Sequence, residues 1–388
     1  MPFPRPLFVF WVCSNSWDEI MRVLQLLPEL NQGGVERGTV DMVEALKTAG
    51  HEAYVASAGG AMLDQIEALG GIHYNLPIHK KHIKTFFIIP KLVKLVNDIG
   101  PDIIHVRSRV PAWLNHFAKS NYTCKPVIIS TFHGLYSVSS YSKIMTKVDR
   151  IIAISNTVKS HIINHYRIHP AKISLIPRGC DANHFRPGVV SPMWQKQWYT
   201  TFPQTKGKKI LSIVSRLSEK KGIDHFIRLL SKLDDSCHGL IVGSLEHCKP
   251  KYLTSLKALV EDLNISDRIT FCGLRRDVKE IYSLSDLTYA LKIEPEAFGR
   301  TVVEAIQMKT PVIGWDIGGV AENLKTLFPE GLIPLKDEQA LLVKTQALLA
   351  AKDHEIKENI FTKDKMVNET IAVYEAAIRQ NNMECERA

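Results

Sequence analysis

The sequence lacks several patterns that mark common protein classes, although it holds seven cysteines in 388 residues. None of these cysteines forms a C-x-x-C pair and their number is odd, so neither a zinc site nor a disulfide framework is indicated. No run reaches the ~18 uninterrupted apolar residues that a membrane-spanning helix requires. Low-complexity tracts and short-period repeats are also missing. These absences favour a globular protein of the reducing cytosol.

Two nucleotide-binding signatures are missing as well. The glycine pair Gly33-Gly34 is followed by Val35 where a G-x-G-x-x-G motif would have its second glycine, and no G-x-x-x-x-G-K-[ST] occurs. A Rossmann-type oxidoreductase is therefore disfavoured. Two adjacent glycines at a helix start still allow a ligand to approach the backbone, with a plain flexible turn as the alternative.

The composition indicates a folded protein with an anionic partner. Hydrophobic residues make up 45% of the chain and charged residues 23%, and the formal net charge is +9. A membrane face, phosphorylated small molecules or nucleic acid would each suit that charge, but motifs that read bases are lacking, so we expect no nucleic acid. Residues 79–94 mix cations with aromatic and aliphatic side chains. This pattern is typical of an interfacial helix on an anionic membrane and equally of a solvated helix with one apolar face.

Short β-branched runs alternate with amphipathic, helix-length stretches from Met21 onward, which predicts parallel strands with helical crossovers. Prolines and glycines interrupt this rhythm between residues 186 and 209, after which it restarts. The predicted fold class is α/β, with two doubly wound, Rossmann-like domains facing each other across a cleft. The predicted division is an N-terminal extension outside the fold (1–20), a first domain (21–190), a linker (191–208), a second domain (209–365) and a C-terminal helix that crosses back to the first domain (366–388).

Two glutamates, Glu296 and Glu304, stand eight residues apart where a loop gives way to an apolar helix. Gly299 between them lets the backbone approach a bulky anion, and the helix that follows directs N–H groups and a partial positive charge toward it. Glu304 suits a vicinal diol such as a ribose, whereas Glu296 is free to face the group attached to the phosphate. Two solvated surface glutamates are the alternative.

A second cluster of chemistry follows the first predicted strand of the second half. Arg216 and Lys221 suit two phosphates, because a guanidinium offers a bidentate fork and an ammonium a point charge. Exposed basic loop residues are the alternative. The carboxyl ends of parallel strands meet at one edge of a sheet, so this loop and the glutamates are expected to share the cleft.

In order along the chain, these motifs resemble those of the retaining GT-B glycosyltransferases of family 4, also called glycosyl transferases group 1. The likeness runs from Met21 to about Tyr374. The matching segments are Gly33-Gly34-Val35-Glu36-Arg37, Thr131-Phe132-His133-Gly134, Ile176-Pro177-Arg178-Gly179-Cys180-Asp181, Ser215-Arg216-Leu217 with Lys221-Gly222, Glu296-Ala297-Phe298-Gly299 with Glu304, and Pro311-Val312-Ile313-Gly314 with Gly318-Gly319.

The resemblance implies a role for each matched residue. Arg216 and Lys221 hold the diphosphate of the donor, Glu304 its ribose, and the loop at Gly273-Leu274 its base. The sugar hydroxyls meet Glu296 and the backbone around Phe298 and Gly299. From the first domain, His133 lies under the sugar as a positioning group, while Gly33 and Gly34 line the cleft near the pyrophosphate. Position 178 departs from the family, which commonly has Asn there, so the neutral hydrogen-bonding role of that Asn does not carry over to Arg178, and an anionic acceptor is the alternative partner for an arginine.

The implied activity is metal-independent transfer of a hexosyl group from a UDP- or GDP-sugar to a glycolipid, lipopolysaccharide-core or other saccharide acceptor, with retention of configuration. The nucleotide sugar is a substrate, and no cofactor or metal ion is expected. The expected location is the cytoplasm, and residues 79–94 offer a peripheral attachment to the inner membrane face. An epimerase or phosphorylase of similar architecture stays open, with a Rossmann-type oxidoreductase behind it.

Overall fold

Two parallel β-sheets form the framework of the chain, whose computed structural model describes residues 19–31, 33–246 and 248–386. The strands are β1 (Arg22–Leu26), β2 (Glu52–Ser57), β3 (Ile72–Asn75), β4 (Ile103–Val106), β5 (Val127–Phe132), β6 (Arg150–Ala153), β7 (Ile173–Leu175), β8 (Lys209–Val214), β9 (Cys237–Val242), β10 (Ile269–Gly273), β11 (Leu287–Ala290), β12 (Val312–Trp315) and β13 (Leu332–Ile333). The helices are α1 (Gly34–Thr48), α2 (Leu63–Ala68), α3 (Ile89–Ile99), α4 (Arg109–Ala118), α5 (Asn156–Tyr166), α6 (Pro192–Thr201), α7 (Ile223–Ser231), α8 (Pro250–Asp262), α9 (Val278–Leu284), α10 (Arg300–Gln307), α11 (Gly318–Leu327), α12 (Glu338–Ala350) and α13 (Lys363–Glu386).

The strand orders are those of two doubly wound sheets, which confirms the predicted fold class. The first sheet runs β3-β2-β1-β4-β5-β6-β7 and the second β10-β9-β8-β11-β12-β13. Central strands such as β4 and β5 are buried at every position, because helices cover both faces of the sheet. In each sheet the order reverses beside the first strand, between β1 and β4 and between β8 and β11. Ligands bind at such switch points, outside the carboxyl ends of the strands.

Two short strands, β3 and β13, each lie at an edge of a sheet and lack the continuous apolar run of the central strands. Strand β3 has the sequence Ile72-His73-Tyr74-Asn75, and none of its residues is fully buried. Strand β13 has only two residues. An edge strand is covered less than a central one, so its sequence need not carry the continuous apolar run that marks the others.

The stretch 191–208, predicted as the linker, contains helix α6. Trp198 of α6 is 2% exposed and packs in a cluster with Ile210 of β8 and Leu240 of β9. Trp194 adds a hydrogen bond from its indole nitrogen to Asp277 Oδ2, at 2.8 Å. The two tryptophans of α6 thus pack against the second sheet, because their large apolar rings gain from burial.

The last helix, α13, packs on the first domain although the chain reaches it from the second. Its Met366, Val367 and Tyr374 are buried in the same core cluster as residues of β1 and α1. The Tyr374 hydroxyl lies 2.6 Å from Nδ1 of His105 on β4. The return begins beside Cys180, whose carbonyl oxygen accepts from the Lys363 N–H at 2.9 Å.

The predicted extension falls almost wholly on residues 1–18, which lie outside the described residues. Within the ranges that the structure describes, no helix combines the length and the apolar character needed to cross a bilayer.

Candidate active site

A cleft of about 530 Å³ lies between the two sheets, at the carboxyl ends of their strands. Both domains contribute to its walls, as expected for a ligand site at facing switch points. The predicted site residues that line it are Gly33, Gly34, His133, Arg216, Lys221, Glu296, Phe298 and Gly299. The structure therefore brings eight of the predicted residues into one crevice.

The second-domain wall is built around the carboxylate of Glu296. Its Oε2 lies 2.6 Å from Lys221 Nζ and 3.5 Å from Lys292 Nζ. Burial raises the pKa of Glu296, but the ammonium groups of Lys221 and Lys292 outweigh it and the pKa is lowered overall. Burial also lowers the pKa of Lys292, partly offset by the Glu296 charge. At neutral pH the wall thus presents an ionised carboxylate, an acceptor for hydroxyl groups, between cations.

The loop that carries Glu296 is held by helix α11. Gly319 N–H donates to the Glu296 carbonyl at 2.8 Å, and the Asn323 side chain donates to the Phe298 carbonyl at 2.5 Å. Gly318 has φ +60°, and a Cβ there would lie 2.7 Å from the backbone nitrogen of Glu296. Gly299 begins α10 in the left-handed region, at φ +82°. The position of the Glu296 loop and the start of α10 are therefore both fixed by left-handed backbone that only glycine adopts readily.

Arg216 is exposed at the end of β8, and among the described residues no carboxylate pairs with it. The same loop ends at Gly222, which has φ +67° and whose Cβ would collide with the Leu291 carbonyl oxygen. This contact brings the loops after β8 and β11 together. Lys221 is thereby set beside Glu296, and Arg216 is left available to an anion at the mouth of the cleft.

The first-domain wall is buried and polar. Both ring nitrogens of His133 are buried and have no hydrogen-bond partner in the described part of the chain. Burial, reinforced by Arg178 and Arg107, holds the pKa of His133 well below its ordinary value, so the ring is neutral at physiological pH. Gly34 begins α1, and no side chain caps this helix at Gly33. The helix start therefore offers N–H groups to the cleft.

Three predicted residues do not line this cleft. Glu304 is 9% exposed, pairs with Arg300 at 2.8 Å, and lines a second cavity of about 280 Å³ next to the cleft. Gly273 ends β10 and Leu274 follows it, at the far edge of the sheet from β13, and Leu274 is 67% exposed. Their roles toward a ribose and a base stay predictions.

Sequence reasoning missed three contributors. Lys292 follows β11 and shares Glu296 with Lys221, a position that the strand-end rule would have found. Arg300 begins α10 and lines both cavities. It lies between the two predicted glutamates, and sequence reasoning assigned other residues of that segment to the site. Asn323 acts from inside α11, on the backbone of another loop, and no local pattern marks it.

Within the described ranges, no three His, Cys, Asp or Glu side chains come together in a way that would hold a metal ion. Side-chain cations and the starts of α1 and α10 line the cleft and are available to an anionic ligand.

Known proteins share both halves of the chain. The sequence pattern of Glycosyltransferase Family 4 matches residues 32–184, and that of Glycosyl transferases group 1 matches residues 197–363. The GPI3 subunit of a phosphatidylinositol N-acetylglucosaminyltransferase from Saccharomyces cerevisiae is 22% identical over 373 residues, covering 88% of this chain and 79% of that protein.

Two crystal structures extend this likeness. A glycosyltransferase from Rickettsia africae ESF-5 has a TM-score of 0.82 and 28% identity, over 93% of this chain and 99% of that one. HepE from Anabaena, solved with UDP and glucose, has a TM-score of 0.71 and 18% identity, over 95% of this chain and 100% of that one.

Proposed function

Because this chain belongs to the GT-B glycosyltransferases of family 4, the glycosyl transferases group 1, we propose that it moves a hexosyl group from a UDP- or GDP-sugar to a hydroxyl of a glycolipid or lipopolysaccharide-core-type acceptor, with retention of configuration. The observation that carries this proposal is the shared cleft of Arg216, Lys221 and Glu296 opposite His133. The complex of HepE with UDP and glucose supports a nucleotide-sugar donor, and the phosphatidylinositol in the name of the yeast relative supports a lipid acceptor.

The proposed chemistry follows from the charges in the cleft. The bond between the anomeric carbon and the diphosphate oxygen breaks, and the acceptor oxygen bonds to the same face of that carbon. The acceptor proton passes to the departing phosphate oxygen. Negative charge grows on the diphosphate, where Arg216, Lys221 and the start of α10 at Gly299 are already in place, so the transition state is stabilised more than the ground state.

Two groups position the sugar in this scheme. The Glu296 carboxylate stays ionised between two ammonium groups and accepts hydrogen bonds from sugar hydroxyls. The neutral His133 ring, with one nitrogen as donor and the other as acceptor, holds the sugar from the first domain. The cations of the chain neutralise the leaving group, so we propose that no metal ion is required.

The first test is a thermal-shift screen of UDP, GDP and their sugars, since a ligand that binds the folded state raises its melting temperature. The matching variants are Glu296→Ala, Lys221→Ala and Arg216→Ala. Each is expected to lower transfer by at least about 100-fold while the fold survives, the usual loss when one preorganised charge is removed. Retention of activity within about tenfold in all three would refute the site assignment, as tenfold is only ~1.4 kcal/mol of barrier.

Product analysis tests the reaction type. NMR of the product gives the anomeric configuration, which is expected to match that of the donor, and excess EDTA is expected to leave the rate unchanged. Incubation with donor alone separates the alternatives, because an epimerase changes the donor sugar without an acceptor. A phosphorylase would release a sugar phosphate when supplied with inorganic phosphate.

Residues 79–94 support a peripheral membrane location on the first domain. Leu92 of this segment is buried in the core together with Leu95 and Val96, which follow it on α3, whereas Phe87 is 80% exposed. An apolar groove of about 420 Å³ adjoins it; the groove is lined by Lys80, Lys81, His82, Thr85, Phe86, Val110, Trp113, Leu114, Phe117 and Tyr141. Aromatic walls under a rim of lysines suit an anionic lipid surface.

Vesicle flotation tests this location. Liposomes with ~30% anionic lipid are expected to recover the protein, and neutral liposomes are not, because the lysines respond to surface charge. The double variant Lys80→Gln/Lys81→Gln should weaken recovery, while Lys257→Gln on α8 of the second domain serves as a matched control. Equal recovery on both lipids would contradict the electrostatic mode.

A further inference from the structure

Arg178 carries a positive charge that the protein does not pair. It lies three residues after the end of β7, is 8% exposed, and its guanidinium donates only to the sulfur of Met366, at 4.0 Å, among the described residues. Burial, followed by the like charges of Arg300 and Arg107, lowers the pKa of Arg178 to about 9. The charges of Asp41 and Glu36 offset this lowering in part, but no carboxylate of the described residues forms an ion pair with Arg178. A buried guanidinium without an ion-pair partner is costly, so the site is better suited to an anion than to the ligand-free state.

Arg178 stands between the cleft and the second cavity, which has a volume of about 280 Å³. Other charged side chains around that cavity already form ion pairs. Arg37 lies 3.1 Å from Asp41, Arg300 2.8 Å from Glu304, and Asp181 3.4 Å from Lys363. The volume is roughly nine times the ~30 Å³ that one water occupies in the liquid. A phosphate or carboxylate with part of its carrier therefore fits beside the unpaired arginine.

Further buried nitrogens converge on the same wall. Arg178 shares a small inner chamber with Arg107 and His133. Arg107 is 3% exposed, and its Nη2 has no partner in the part of the chain that the structure describes. A Cβ on Gly38 of α1 would collide with Nη1 of Arg178, so this glycine makes room for the guanidinium. The first-domain wall thus contains more hydrogen-bonding nitrogens than the protein itself satisfies.

We propose that Arg178 binds a second anion, separate from the diphosphate of the donor, and that this anion is a phosphate or carboxylate group of the acceptor. The proposal rests on the proposed transferase activity. Arg216 and Lys221 line the cleft but not the second cavity, whereas Arg178 and Arg300 line both. The donor diphosphate and the acceptor anion are therefore held in two neighbouring cavities, both of which Gly34 lines. The planar fork of Arg178 matches either acceptor group bidentately.

Thermal shift on the full chain tests the second site, with inorganic phosphate as probe and the nucleotide that the screen identifies, at saturation. Added phosphate, at ionic strength matched with NaCl, is expected to raise the melting temperature of the nucleotide-saturated protein by about 1 °C or more. A parallel series with acetate reports on carboxylates. If neither anion shifts the nucleotide-saturated protein, the proposal is overturned, because the anion site is then the donor's own.

Two variants separate this site from the donor site. Arg178→Met should remove the anion shift and keep the nucleotide shift, while Arg216→Met should lose the nucleotide shift and keep the anion shift measured without nucleotide. Arg178→Lys should retain part of the anion shift and guards against misfolding of the first variant. An undiminished anion shift in Arg178→Met would overturn the proposal. If no nucleotide raises the melting temperature of the wild-type chain, that result counts against the donor site, and the anion shift of Arg178→Met measured without nucleotide still decides the proposal.

Discussion

The two walls of the cleft satisfy their polar groups in opposite ways. On the second domain, Glu296 already contacts Lys221 and Lys292, and only Arg216 extends to solvent without a carboxylate partner among the described residues. On the first domain, the ring nitrogens of His133 and the side chain of Arg178 are buried beside the cleft with little or no hydrogen bonding from the protein. A wall that is complete before binding is preorganised for charge, and a wall with unsatisfied nitrogens gains most from a ligand.

The largest expected effect breaks the second-domain wall. Lys221→Ala should lower kcat/KM by at least about 100-fold, or ~3 kcal/mol, because it removes a charge from the departing diphosphate. Lys220→Ala is the matched control, since Lys220 is the neighbouring residue and pairs at 2.8 Å with Glu294 outside the cleft. Steady-state kinetics with both variants measure the difference. Equal losses would mean that general charge, and not the position of Lys221, matters.

Acid should distinguish the domains next. In the second domain, burial lowers the pKa of His238 to about 4. In the first domain, burial lowers the pKa of six histidines, which are His51, His73, His105, His116, His133 and His161. At a pH below the unfolded pKa of about 6.5, each of these histidines takes up a proton when the protein unfolds. The contribution of the neutral, buried ring to the free energy of unfolding is therefore fully present above that pH, and it is lost as the pH falls toward the folded pKa.

Between pH 7 and 5 each such histidine contributes a loss of up to about 1.4 kcal/mol per pH unit. Hydrogen exchange at pH 7.5 and 5.5 is therefore expected to show a larger loss of protection in the first sheet than in the second. His238→Gln should reduce the acid response of the second domain, with the first domain unchanged. Equal loss in both domains would contradict the expected difference.

Tyr374→Phe should weaken the hold of the last helix on the first domain. It removes a buried hydroxyl that lies 2.6 Å from His105 Nδ1 and leaves that nitrogen unpartnered, a cost of about 1 to 2 kcal/mol. Urea unfolding measures the change. Tyr199→Phe on the second domain is the control, because Tyr199 is only partly buried. An unchanged midpoint in Tyr374→Phe would indicate that apolar packing alone anchors α13.

The smallest expected effect concerns the contact between the domains. Glu322 of α11 accepts hydrogen bonds from the Asn156 N–H at 2.9 Å and the Thr157 N–H at 2.5 Å, at the start of α5 in the other domain. Glu322→Gln keeps the shape and removes the charge at this helix end, at a cost of about 1 kcal/mol or less. Small-angle scattering should show a slightly larger radius of gyration without nucleotide. An identical radius would place domain closure elsewhere.

Sequence reasoning reached the fold and most of the cleft because both depend on regular physics. Buried parallel strands carry apolar runs, and the strand-end rule brought Arg216, Lys221 and Glu296 to one crevice. It did not foresee that Trp194 and Trp198 would make 191–208 a part of the second domain. It also expected Glu304 in the cleft, whereas Arg300, four residues earlier on the same helix, pairs with it at the second cavity.

The amino-acid sequence by itself determined the two doubly wound domains and the motifs at their strand ends, because hydrophobic periodicity and glycine positions act between residues that are close in sequence. Tertiary structure decided which charges are paired. Lys221 and Lys220 are adjacent in the chain, yet one faces Glu296 in the cleft and the other Glu294 outside it. Arg178 became an unpaired buried cation only because α1, α13 and the second domain close around it. Burial and pairing depend on residues distant in sequence, and no local pattern encodes them.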